Sequence, residues 1–228
     1  MKAFGIIETI LRNRFPFFVE IRDNIELDRK ARQMIVASMA CLFVYGAVLG
    51  STHSALQALS SAVKLPVLFL ATTAICAPTL YFFGVLLGSS QTLPQSVCLL
   101  LTAITVSAVL LLAFAPVTLF FLLATGNYQF FKLLNVVIFA VVGLRGTRFL
   151  SQGMAIVANN AESANSRRTF MRLWVMLYGL VGSQMAWTLR PFVGAPSLPF
   201  ELFRSLGGTF FANVIGSLGE VLGFWMVR

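Results

Sequence analysis

The stretch Val97–Leu123, VCLLLTAITVSAVLLLAFAPVTLFFLL, runs for 27 residues without a charge. It lies within a longer tract, Gln33–Leu144, whose only charged side chains are Lys64 and Lys132. A water-soluble fold needs polar side chains on its solvated face and cannot run so far without them. Lipid solvates such a stretch on all sides. The tract therefore predicts an all-α, polytopic transmembrane bundle.

Composition agrees. Hydrophobic residues make up 58% of the chain and charged residues 11%, with a mean hydropathy of +0.85. Ordinary globular domains have about 45–50% apolar and about 25% charged residues. The 22 phenylalanines suit lipid-facing and interfacial surfaces. The net charge of +9 does not point to nucleic acid, because no basic stripe is interleaved with aromatics. The basic residues cluster beside apolar spans, at residues 2–32, at Arg145 and Arg148, and at Arg167, Arg168 and Arg172. There they set orientation and touch anionic headgroups. Cys41, Cys76 and Cys98 fall inside apolar spans with no CxxC or Cys/His pattern, so they read as small buried hydrophobes. The charged segment before Met34 is too long and too acidic for a signal-peptide n-region, and the first span is expected to stay as an anchor.

Residues 1–33 read as an amphipathic and charged juxtamembrane segment, and residues 34–228 as the transmembrane domain. From Met1 to Phe18, Phe4, Ile7, Leu11 and Phe15 recur at helical spacing opposite Glu8 and Arg12, which predicts a helix in the membrane plane, ended or bent by Pro16. The run Glu20–Arg32 is dense in both signs and reads as a solvated helix with local ion pairs, or as a docking surface. About 20 apolar residues cross the hydrocarbon. Spans are accordingly expected at about 34–51, 65–87, 97–123, 130–144, 171–189 and 208–227, six in all or five plus a half-inserted helix.

A Ser-rich link, Thr52–Ser61, carries the only histidine, His53, read as a solvated loop residue. Pro66 is placed in the first turn of the second span, where its missing N–H costs nothing. Pro78 and Pro116 are interior and are candidate kinks. The carbonyl freed by Pro78 could be met by Thr72, Thr73 or Thr79. Gly46 and Gly50 form a single small-residue pair after the bulky Leu42, a weak packing signal, whereas Gly208, Ala212 and Gly216 repeat at four-residue spacing and are candidate packing residues. Part of the polar stretch Ser151–Thr169 is expected to continue the fourth helix. The segment 191–206, with Pro191, Pro196 and Pro199 among phenylalanines, reads as a cap folded on the bundle or the interface. The positive-inside rule puts the N-terminus, Arg145/Arg148 and Arg167/Arg168/Arg172 in the cytoplasm, which four crossings before Arg145 satisfy.

Chemistry is sparse. Beyond Asp28 the only carboxylates are Glu162, Glu201 and Glu220, and HExxH, P-loop and dinucleotide motifs are absent. No catalytic residue, metal or cofactor is expected. Glu220 is the one acid inside a proposed span, where an unpaired carboxylate costs on the order of a few kcal/mol. With Arg190, Gln184 and Ser183 it forms the candidate intramembrane polar site; Ser183, Trp187 and Arg190 share one helix face.

The elements Lys64-Leu65-Pro66, Pro78-Thr79-Leu80-Tyr81 and Leu87-Gly88-Ser89, spanning about residues 64–90, resemble the central spans of the YIP family. Those are helical membrane proteins of five spans, known mainly from vesicle trafficking and with bacterial relatives. The resemblance implies a non-enzymatic membrane organiser and carries no functional residues over. The expectation is a non-catalytic subunit of a larger membrane assembly in a bacterial inner membrane. Its partners would be membrane lipids and either further copies of itself or other subunits. The alternative is a small oligomeric channel or transporter using Glu220 and Arg190, and a third reading is membrane shaping by the N-terminal helix.

Overall fold

The computed structural model describes residues 2–86, 91–125, 127–157, 164–194, 200–203 and 208–221. Every regular element among them is a helix: α1 (Lys2–Arg12), α2 (Arg14–Arg22), α3 (Leu27–Gly50), α4 (Ala55–Leu86), α5 (Leu93–Ala124), α6 (Tyr128–Val157), α7 (Ala164–Thr188) and α8 (Phe210–Val221). Four of them, α3 to α6, are long and apolar enough to cross a membrane. That is compatible with an integral membrane protein. The fifth and sixth expected spans correspond to α7, which has three arginines in its first nine residues, and to α8, described over only 12 residues.

Short connections make α3 to α6 run alternately up and down. We call the end bearing α1, α2 and residues 91–92 the entry end, and the end bearing residues 51–54 and 125–127 the far end. α5 is the central helix, flanked by α3 and α6; α4 packs on α3, α7 on α4, and α8 on α6. At the entry end Ile10, Phe17, Phe18 and Ile21 bury against Met34, Leu99, Leu150 and Trp174. At the far end Tyr45, Leu49, Leu65, Leu111 and Phe131 form a second cluster.

α3 and α4 meet backbone to backbone, at the glycines whose packing signal is weak in the sequence. A Cβ on Gly46 would clash with Ser61 O and sit 2.9 Å from Ala62 Cα; one on Gly50 would clash with Gln57 O and sit 2.6 Å from Ala58 Cα. Small residues face small residues, and the backbones touch. The Gly208/Ala212/Gly216 repeat behaves in the opposite way. Gly208 precedes α8 with φ of +70°, Ala212 is exposed, and a Cβ on Gly216 would meet open space. Its contact with α7 is a hydrogen bond from Trp187 Nε1 to Gly208 O at 3.1 Å, and among the described residues no backbone approaches Gly208 or Gly216 within 4 Å of a built Cβ.

Other boundaries also move. The Ser-rich link shrinks to residues 51–54, because Ser54 caps α4 by accepting Gln57 N–H at 3.1 Å, so the helix starts ten residues earlier than the expected span. Pro66 consequently lies three turns inside α4 rather than in its first turn. α4 and α5 continue as helices through Pro78 and Pro116. Thr73 donates to Phe69 O and Thr79 to Cys76 O, while Thr72 Oγ1 is buried without a partner among the described residues, so none of the three donates to the carbonyl that Pro78 frees. α5 starts at Leu93 behind a Thr92/Gln95 capping box. α6 continues through the polar residues to Val157.

The N-terminal helix breaks at Asn13, and Pro16 falls in the first turn of α2. Of its expected stripe Ile7 is half-buried while Leu11 and Phe15 stay exposed, and the residues buried in the bundle are Ile6 and Ile10, outside that stripe. The helix is thus docked on the bundle through Ile6 and Ile10. The expectations for Pro196, Pro199, Asn159, Asn160, Glu162 and residues 222–228 lie outside the described residues, as do the side chains of Phe4, Arg167 and Arg168.

Replacing Gly46 by Leu should lower stability by about 1–3 kcal/mol through overpacking, and Gly216→Leu should change the isolated chain by less than about 0.5 kcal/mol. SDS-titrated unfolding in mixed micelles measures both.

Candidate functional site

Gln57, Ser61 and Lys64 recur at i, i+4 and i+7, so they share one face of α4. The chain leaving α7 folds back over this face. Gln57 Nε2 donates to Pro191 O at 2.9 Å, and Ser61 Oγ to Phe192 O at 2.6 Å. Lys64 Nζ donates to Pro191 O at 3.4 Å and to Leu202 O, and sits 4.8 Å over the Phe203 ring. Tyr128 OH adds a longer bond to Val193 O at 3.5 Å. A proline-rich segment cannot pair its carbonyls as a helix, and irregular backbone near lipid survives only where other groups satisfy it. Three side chains of α4 and one of α6 supply that. Pro191 and Gly194 are buried, and Gly194 presses on His53 so closely that a Cβ there would lie 2.6 Å from His53 Cγ. His53 is therefore half-buried under the cap rather than solvated.

A second polar cluster lies deeper at the same end. Tyr45 OH donates to Asn135 Oδ1 at 2.8 Å and lies 3.3 Å from Thr118 Oγ1, while Asn135 Nδ2 donates to Phe131 O at 2.8 Å. All three side chains are buried, and together they tie α3, α5 and α6.

At the entry end the charged segment is fixed to the bundle. Lys30 is buried, pairs with Glu20 at 2.9 Å and donates to Ile25 O at 2.5 Å. Gln95 Nε2 donates to Arg22 O at 2.7 Å. Asn24 and Glu26 take positive φ, 58° and 51°, to turn the chain from α2 into α3. Glu8–Arg12, Arg22–Asp23 and Glu26–Arg29 are exposed pairs, and Asp23 raises the Arg22 guanidinium above its ordinary value through its hydrogen bond and charge. Such exposed pairs are screened by solvent and contribute little to stability. The local ion pairs read from sequence are present, on a segment more firmly anchored than its charge suggested.

The residues of the expected polar site around Glu220 are each seen in a local setting among the described residues. Arg190 stacks 3.5 Å from the Trp187 ring, Ser183 Oγ donates to Leu180 O, and Gln184 contributes its carbonyl to Thr188 Oγ1. Glu220 instead shares α8 with Asn213, whose Oδ1 accepts from Lys132 Nζ at 2.9 Å. In the sequence Lys132 stands out only as an exception to the uncharged tract. Lys64 stands out in the same way, while Gln57 and Ser61 do not, although Ser54-x-x-Gln57 is a helix-start signal that puts all three on one helix. Cys41, Cys76 and Cys98 are free and buried. Among the described residues no cluster of three His, Cys, Asp or Glu side chains forms.

Comparison of the chain with protein-family models, curated proteins and solved structures finds no match.

Lys64→Met should release the cap. Hydrogen exchange at the Phe192–Gly194 amides is expected to speed up by about tenfold if roughly 1.4 kcal/mol of anchoring is lost, with α5 amides unchanged. Tyr45→Phe leaves Asn135 Oδ1 without its donor and should cost about 0.5–2 kcal/mol in the same micellar unfolding assay.

Proposed function

We propose that the chain is a non-catalytic membrane subunit that organises, or belongs to, a larger assembly. In this reading the bundle has five to six crossings, with α7 and α8 as the fifth and sixth, and the N-terminus lies in the cytoplasm of a bacterial inner membrane. The observation that carries it is the anchored entry-end segment. Lys30–Glu20 and Gln95–Arg22 hold it rigid, while Asp28, Arg29 and Arg32 stay exposed. A preorganised surface of mixed charge favours partner docking, because little ordering entropy is lost on binding. The likeness of residues 64–90 to the YIP family points the same way.

The polar side chains buried in the apolar tract support a structural role. Gln57, Ser61, Lys64, Tyr45, Thr118 and Asn135 are spent on each other or on backbone carbonyls. The channel or transporter reading keeps one observation in its favour: Lys132, Asn213 and Glu220 bring charge to the α6–α8 contact. It does so without Arg190, which lies on Trp187.

Two measurements separate the readings. Purified in mild detergent, the chain should run with other subunits or as an oligomer, and reversing Arg29 and Arg32 to Glu together should loosen that association. A strictly monomeric, partner-free particle would sink the assembly reading. In proteoliposomes Glu220→Gln should leave cation and proton flux at the background of empty vesicles; a flux in the parent chain that the substitution abolishes would favour transport.

A further inference from the structure

α4 and α5 enclose a lateral groove of about 540 Å³ at the entry end, walled by Ala74, Ala77, Pro78 and Phe82 on α4 and by Leu93 and Val97 on α5. Thr79 and Ser96 also border it, but their hydroxyls are turned to protein: Thr79 Oγ1 donates to Cys76 O at 2.7 Å and accepts Trp174 Nε1–H at 3.2 Å, and Ser96 Oγ donates to Thr92 O at 3.2 Å. The groove therefore presents almost only carbon. It opens sideways, since Phe82 is 61% and Leu93 52% exposed. Water does not fill apolar space of this kind, and a bilayer places hydrocarbon at its mouth.

Its length distinguishes among occupants. Ala74 to Phe83 rises about 13.5 Å at 1.5 Å per residue, just under half of a hydrocarbon layer of about 30 Å. The opposite wall, Leu93 to Leu100, is shorter still. A helix from another chain would seek a face through both leaflets, whereas an acyl chain needs one. Beyond the groove's entry end lies a cleft that carries charges of both signs. Pro94, next to Leu93, lines this second cleft of about 460 Å³ at the start of α3, together with Arg29 and Arg32 and with the carboxylates Glu26 and Asp28. Arg29 is paired with Glu26 at 2.9 Å, and Arg32 spends its Nε on Asp28 O at 3.3 Å, so the Arg32 guanidinium edge remains the stronger phosphate donor.

We propose that the α4–α5 groove is a phospholipid site that takes one acyl chain from the entry-end leaflet, with the phosphate beside Arg32. The site depends on membrane residence and not on the assembly role, so either can fail alone. The full-length chain, purified in mild detergent and exchanged into lipid-free detergent, should retain about one phospholipid per chain by native mass spectrometry. Ala74→Trp and Val97→Trp fill the groove from opposite walls and should each cut retention about tenfold; Val137→Trp, on the exposed face of α6, should not. Arg32→Gln should weaken retention several-fold. Melting curves report whether each variant folds. The unsubstituted chain provides an independent arm: diazirine-acyl phosphatidylglycerol should label residues 74–83 and 93–100. No retained lipid in the unsubstituted chain, equal retention in a folded Trp variant, or labelling spread evenly over α4 and α6 would overturn the proposal.

Discussion

The contact of α3 with α4 at Gly46 and Gly50 governs much of what the other helices do. Two backbones in van der Waals contact fix both the separation and the rotation of a helix pair, leaving little freedom at that end. α4 is thereby turned so that Gln57, Ser61 and Lys64 stand under the returning chain. α4 also runs 32 residues, about 48 Å at the usual helical rise, so its two ends meet different neighbours. Near the far end it is locked to α3. Toward the entry end it borders the α4–α5 groove.

Polar chemistry in this molecule follows the same economy at both ends. Lys64 meets carbonyl oxygens and an aromatic face, Lys30 a carboxylate and a carbonyl, and Lys132 an amide oxygen. Each ammonium with a low-dielectric setting has specific acceptors, as the cost of an unsatisfied charge requires. The same holds for Tyr45 and Asn135, whose mutual bond joins α3 to α6 across 90 residues of sequence.

How much of this was legible in the sequence depends on the range of the interaction. Class and helical content follow from the uncharged tract, because hydrocarbon solvation acts on every residue separately. The starts of α4 and α5 were within reach too: Ser54-x-x-Gln57 and Thr92-x-x-Gln95 are local signals, and reading spans by hydropathy alone sets both helices too short. Packing was harder. Gly46/Gly50 and Gly208/Ala212/Gly216 look alike as patterns, and the longer repeat looks stronger, yet only the first has Ala58 and Ala62 opposite it. A small residue reports what could approach, not what does. The pairing of Lys64 with a segment more than 120 residues later has no local signature at all.

That separation has a consequence for biogenesis. The α3–α4 contact joins neighbouring helices and can form as soon as α4 has left the ribosome, while the carbonyls of Pro191, Phe192 and Leu202 arrive only after α5, α6 and α7 have been made. Until then Gln57, Ser61 and Lys64 are polar groups on a nascent hairpin that lack those carbonyl acceptors. A chain stalled before residue 191 would carry that uncovered stripe permanently. It is a mark by which membrane quality control could tell an unfinished copy from a finished one.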